Sequence, residues 1–475
     1  MPIQADWSVV MENKKSNFTG SLGFILAAAG SAVGVGNIWR FPYLAAQNGG
    51  GLFILVYLVL VFTFGFTLLT SDIALGRKTG KNPLYAYGEN GWQIIGKVTF
   101  LVPVIIITYY LVIGGWVTKY MVGYFAGQSA EMAKDGFFGG FITSPVAPIV
   151  YTMIYLALTA VIVFFGVEKG IEKFSKTIMP ILFIIIIGIA IFSLTLTHTG
   201  DDGITRTGIE GLKKYLIPDF TGITVSKFLK TVLDATGQLF YSLSISMGIM
   251  ITYGSYVKKD VNLAKSITSI EIFDTLVAVL AGMMIIPAVY AFSGEAGLTA
   301  NGPGLIFVAL PKIFEAMGAI GPFIGALFFV MVAFAALTSS VSLMETIVAS
   351  CMERYNKSRK TVAAGVTIFC IVGSLLICLG YSLLYFEIVL PNTPAGSNAQ
   401  LLDVADYISN YLFMPLIAIG TCLYIGWYKK PQYIIDEVEL GGYKFSRKGL
   451  YTVMVRYIVP IMLVVLFINS FIPAK

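Results

Sequence analysis

Four groups of residues carry polar chemistry into stretches that are otherwise apolar. The first is Gly30-Ser31-Ala32-Val33-Gly34-Val35-Gly36-Asn37-Ile38-Trp39-Arg40, whose glycines weaken any helix through it. The second is Gly237-Gln238-Leu239-Phe240-Tyr241-Ser242-Leu243-Ser244-Ile245-Ser246-Met247-Gly248. The third is the lone carboxylate of Asp274, and the fourth is Ala335-Ala336-Leu337-Thr338-Ser339-Ser340. Carbonyls freed by a break near Gly30–Val33, the Asn37 amide and Ser or Thr hydroxyls are hard neutral oxygens. Such donors suit an alkali cation better than zinc or copper, and Asp274 can add a full charge. A half-helix beginning at Val35-Gly36 presents unpaired N–H groups at a positive dipole end, which suits a carboxylate. An anion site beside cation sites implies an amino-acid-like molecule handled together with a cation.

The elements that must position these groups are membrane helices. The 475-residue chain is 57% hydrophobic and 12% charged, which excludes a soluble globular protein. Spanning helices need about 20 mostly apolar residues. Eleven segments qualify, at 21–44, 52–75, 98–125, 148–166, 176–196, 227–256, 265–292, 319–350, 361–385, 403–428 and 452–472. The polar first 20 residues contain no leader-like apolar run, so segment one is expected to be a retained span. Most of the 32 Lys and Arg fall in alternate loops, including Arg77-Lys78, Lys258-Lys259 and Arg354 to Lys360. That bias predicts a cytoplasmic N-terminus and an extracellular C-terminus. Topology alone explains those basic loops, in preference to nucleic-acid or lipid-headgroup binding, and no nucleic-acid partner is expected. Cys351, Cys370, Cys378 and Cys422 have no zinc-like spacing and read as buried thiols. His198, in the polar stretch 196–226, is expected to face solvent.

Segments one and six share the same oddity at corresponding places in two five-helix halves. Irregular backbone in hydrocarbon is tolerated only where it is buried in protein or lines a cavity. Paired interrupted helices point to an inverted repeat with its site at the midplane. The expected fold is therefore an all-α membrane protein in a single domain over 1–475. Helices 1–5 (21–196) and 6–10 (227–428) form the two repeats, helices 1 and 6 are broken, and 452–472 is an extra helix.

Asn37-Ile38-Trp39-Arg40-Phe41-Pro42 followed by Asn48-Gly49-Gly50-Gly51 resembles the signature of the neurotransmitter:sodium symporter family, in its bacterial amino-acid branch. Tyr109-Tyr110, Ser242-Leu243-Ser244, Asn301-Gly302-Pro303-Gly304, Leu337-Thr338-Ser339-Ser340 and Asp406 fall in order at matching places. The resemblance covers residues 15–472 and implies two sodium sites. One would use the Ala32 and Ser242 carbonyls, Asn37, the Ser242 hydroxyl and Asp274. The other would use carbonyls of Gly30, Val33 and Ala335 with the hydroxyls of Thr338 and Ser339. The substrate carboxylate would meet Val35 and Gly36 N–H and the Tyr110 hydroxyl, and its amine Ala32, Tyr241, Ser242 and Ser244. Ile106, Met247, Ser340 and Leu343 would line the side-chain pocket, which favours apolar side chains. Met247 reads equally as core filling. Gly34 stands where monoamine-carrying members have aspartate, which favours a substrate bringing its own carboxylate.

The same resemblance implies an outer gate of Arg40 with Asp406 under the ring of Tyr241. It implies an inner gate containing Tyr256 and Glu353, with Lys15 and Phe18 in place of the usual Arg and Trp. Asp274 stands where chloride-dependent members carry asparagine, so no chloride requirement is expected. The functional expectation is a sodium-coupled importer of a hydrophobic or aromatic amino acid in the bacterial cell membrane, working by alternating access. Proton coupling through Asp274 or Glu345, and a non-transporting sensor with the same sites, stay open at this point. No nucleotide motif or nucleophile–base pair supports a pump or an enzyme.

Overall fold

The computed structural model describes residues 17–88, 90–200, 202–299, 302–391 and 398–472. Lys15 and Asn301 lie outside them. Among the described residues nine helices are long and apolar enough to cross a membrane. A tenth span is the bent pair Ser21–Ala32 and Gly36–Gln47, whose halves meet at 55°. The sixth expected span, 227–256, is two helices, Val225–Ser242 and Ile249–Ser255, separated by an irregular turn.

The first break follows from its glycines. Val33 adopts an extended conformation and ends the first half-helix. Asn37 then folds its side chain back, and its Oδ1 accepts the Gly34 N–H at 3.2 Å. Carbonyls at the break accept from side chains of distant segments. Ser31 O accepts from Ser244 Oγ and Ser339 Oγ, each at 3.1 Å, and Gly36 O accepts from Gln238 Nε2 at 3.2 Å. Buried backbone groups need such partners, and here they tie the two breaks together.

The second break is strained. Ser244, Ser246 and Gly248 have φ of 51°, 60° and 76°, a region that residues with a Cβ seldom occupy. Asp72, 1% exposed, accepts the Ser246 N–H at 3.0 Å. Its place on the Gly51–Thr79 span is therefore structural to helix six. The two elements approach backbone to backbone, because Gly76 lies against Ile251 and Gly254 against Ile73. Small residues permit such approaches in membrane helices.

A departure from an all-helical chain lies between the fifth and sixth segments. Thr197–Thr199 and Thr205–Thr207 form an antiparallel hairpin, and Gly208–Leu216 is a capped helix. His198 is half-buried and stacks on Phe292 with ring centroids 4.5 Å apart, so it is not simply solvent-facing. The signature glycines have a local cause. Gly49 and Gly50 take φ of 80° and 55°, and a Cβ on Gly50 would strike the carbonyl of Lys214.

Candidate functional site

Between the two breaks lies a small cavity of about 30 Å³. Ala32, Gly34 and Gly36 line it from the first bent helix, and Tyr241, Ser244 and Met247 from the second. Ile106 and Tyr110 close it from the Gln93–Phe125 helix, and Ser339 and Leu343 from Gly321–Tyr355. The Tyr110 hydroxyl is buried there beside Ser339 and the Val35 amide, yet makes no hydrogen bond of ordinary geometry among the described residues. A buried hydroxyl without a partner is costly, so its natural complement is a group that enters the cavity.

Glycine at 34 and 36 keeps that space open. A Cβ at position 34 would stand 2.9 Å from Ser339 Oγ and 3.3 Å from the Tyr110 hydroxyl. One at position 36 would run into the Tyr241 ring. Ser31 and Ile249 also line the cavity, and neither is singled out by the sequence. Their polar or apolar character is unremarkable; only the direction in which each break turns brings them inward.

Asp274, Asn37 and Ser242 form a fully buried cluster below the first break. Ser242 Oγ donates to the Asp274 carboxylate at 2.7 Å, and Asn37 Nδ2 donates to Asp274 Oδ1 at 2.8 Å. Tyr57, which sequence reasoning missed, reaches Oδ2 at 3.3 Å. A tyrosine within an apolar span was its only signal. The second set of oxygens lies where Gly30 packs on Thr338, with an ideal Cβ 3.4 Å from the Thr338 Cβ. Thr338 Oγ1 and Ser339 Oγ both reach the Ala335 carbonyl, at 2.9 and 3.3 Å.

Several expected partners are arranged differently. Ser340 turns away from the cavity, because one residue past Ser339 is about 100° around the helix. Its hydroxyl meets Tyr155 at 3.1 Å and Thr159 at 3.0 Å on the Ala147–Phe164 helix. Arg40 and Asp406 make no ion pair within 4.0 Å. Arg40 instead lies 5.9 Å from the Tyr241 ring centroid, a cation–π distance, while Asp406 accepts from Tyr109 at 3.1 Å and from Asn410.

At the opposite end, Tyr256 donates to Glu345 at 2.8 Å rather than to Glu353. Glu345 is paired with both terminal nitrogens of Arg359, at 2.6 and 2.8 Å. Glu353 accepts from the backbone and side chain of Asn82, at 3.0 and 2.8 Å, and so ties Asn82 to the end of the Gly321–Tyr355 helix. Phe18 is 1% exposed, sets its ring edge-on to Tyr253 at 5.6 Å, and donates its N–H to the Tyr256 carbonyl at 3.1 Å.

With this geometry in view, the likenesses to known proteins are consistent. The model of the sodium:neurotransmitter symporter family matches residues 15–132 and 143–475. A sodium-dependent transporter of Bacillus subtilis, YhdH, is 34% identical over 474 residues, covering 96% of this chain and 98% of its own. One of Haemophilus influenzae is 30% identical over 476 residues, covering 96% and 98%. The human sodium- and chloride-dependent GABA transporter 2 is 25% identical over 500 residues, covering 92% and 78%. Among solved structures, that of MhsT in complex with L-phenylalanine superposes with a TM-score of 0.81 at 35% identity, covering 96% of this chain and all of the other. The chain belongs to the sodium:neurotransmitter symporter family, a family of multi-span membrane transporters.

Proposed function

We propose that the protein is a sodium-coupled symporter that imports a hydrophobic or aromatic amino acid by alternating access, without chloride. The observation that carries this reading is the unpartnered Tyr110 hydroxyl in the cavity between the breaks. A substrate carboxylate would take that hydroxyl together with the Val35 and Gly36 N–H groups at the start of the second half-helix. Its amine would sit against Ala32, Tyr241, Ser242 and Ser244. Ile106, Met247 and Leu343 leave an apolar remainder, and the phenylalanine held by MhsT is a molecule of that kind.

Sodium is cargo in this scheme. The first ion would sit among the Ala32 and Ser242 carbonyls, Asn37, the Ser242 hydroxyl and Asp274, where one carboxylate balances one monovalent charge. A half-turn of the Asn37 amide would turn its oxygen toward that point. The second would take carbonyls of Gly30, Val33 and Ala335 with Thr338 and Ser339. The fixed charge of Asp274 supplies what chloride otherwise brings. The cavity is too small for a large amino acid as it stands, so Tyr241, Met247 and Leu343 must move when one enters. The reading includes two inverted repeats, a cytoplasmic N-terminus and an extracellular C-terminus.

Thermal unfolding of the purified protein with each amino acid, in sodium or potassium, tests the reading, because a ligand of the folded state raises its stability. Stabilisation by phenylalanine or leucine-like side chains in sodium alone is expected. Stabilisation only by charged amino acids, or equally in potassium, would overturn it.

A further inference from the structure

A second cavity, of about 460 Å³, lies away from the broken helices. Phe100 and Val104 of the Gln93–Phe125 helix, Cys351 near the end of Gly321–Tyr355, and Gly365 and Phe369 of Arg359–Leu379 wall it. Its surface is almost wholly apolar, and Phe369 at its rim is 42% exposed. At one end its wall is Lys357, in the turn joining the last two helices. Lys357 is exposed and enters no ion pair among the described residues, and Arg354 and Lys360 flank it under the same conditions. Arg359 is the exception in this turn, being engaged by Glu345. Gly365 leaves the cavity room in a direct way, since a Cβ there would meet nothing within 4 Å.

We propose that this cavity seats one acyl chain of an anionic phospholipid, with the phosphate held by Lys357 and its basic neighbours. Charge complementarity selects the occupant. An apolar slot between spanning helices takes hydrocarbon, but a free cation at its mouth distinguishes an anionic headgroup from a zwitterionic one. Basic pockets between membrane helices on the cytoplasmic side recognise such headgroups by the same physics. The seat shares the Gly321–Tyr355 helix with Thr338, Ser339 and Leu343.

Native mass spectrometry tests the proposal on full-length protein released from vesicles of mixed phosphatidylcholine and phosphatidylglycerol. Wild type is expected to retain one phosphatidylglycerol in preference to phosphatidylcholine. Gly365→Phe fills the slot and should abolish retention. Lys357→Gln should leave a bound lipid but lower the preference about five-fold, the effect of one basic residue near a membrane surface. Sodium-dependent thermal stabilisation by amino acid, unchanged in both variants, certifies their fold. Equal retention of the two lipids by wild type would overturn the proposal. So would undiminished retention by Gly365→Phe, or retention of a fatty acid alone.

Discussion

The backbone N–H of Ser246 donates to the carboxylate of Asp72 at 3.0 Å. A charge on an unbroken span thus holds the strained turn of a broken one, where Ser244 and Ser246 both have positive φ. Removing the acceptor strands a buried N–H, which costs about 1–3 kcal/mol. Asp72→Ala should therefore lower the thermal midpoint of the purified protein, and Asp72→Asn, which keeps an acceptor oxygen, should recover most of it. Equal midpoints for Asp72→Ala and wild type would show that the turn holds itself.

Tyr110 separates binding from folding. Its hydroxyl makes no hydrogen bond of ordinary geometry among the described residues, so Tyr110→Phe should leave the thermal midpoint without ligand nearly unchanged. A hydrogen bond to a charged group is worth about 1.5–3 kcal/mol, so substrate affinity should fall by roughly ten-fold or more. Isothermal titration in sodium measures the second effect. A destabilised protein with unaltered affinity would assign Tyr110 to packing.

The two carboxylates Glu345 and Glu353, on the same helix, are unequal. Glu345 is fully buried and neutralises Arg359 while accepting from Tyr256, whereas Glu353 is exposed and accepts from Asn82. Breaking a buried pair from one side costs about 3–5 kcal/mol. Glu345→Ala should be markedly destabilising in thermal unfolding and Glu353→Ala only mildly so. The reverse order would contradict the pairing.

Asp274 is the proposed substitute for chloride. Asp274→Asn removes the charge but keeps groups for Ser242, Asn37 and Tyr57 to bond. Uptake by that variant should be low in chloride-free buffer and rise on adding chloride, while wild-type uptake ignores it. Full uptake by Asp274→Asn with no chloride response would remove the idea.

What was legible in the sequence was the polar chemistry in the wrong place. Glycines and Asn37 inside an apolar run, and Asp274 inside another, stand out because hydrocarbon excludes them unless they are used. Ser340 was not legible against Ser339, since adjacent helical residues face different neighbours and only packing decides which one meets the cavity. Tyr57 and Asp72 escaped for a related reason: each acts on a break in another helix, at a sequence distance no local pattern spans. The pairings of the residues expected at the gates were not legible either, because they depend on reach. Tyr256 is met by Glu345, eight residues before Glu353 on the same helix and hence some two turns away.

The coupling ion is the centre of the account, and gradient-driven uptake reads it directly. Proteoliposomes loaded with potassium and diluted into sodium should accumulate radiolabelled phenylalanine above its external concentration, then lose it when a sodium ionophore collapses the gradient. Accumulation that persists with sodium replaced throughout, driven by an imposed proton gradient, would contradict sodium coupling. Saturable binding without any accumulation would contradict transport itself.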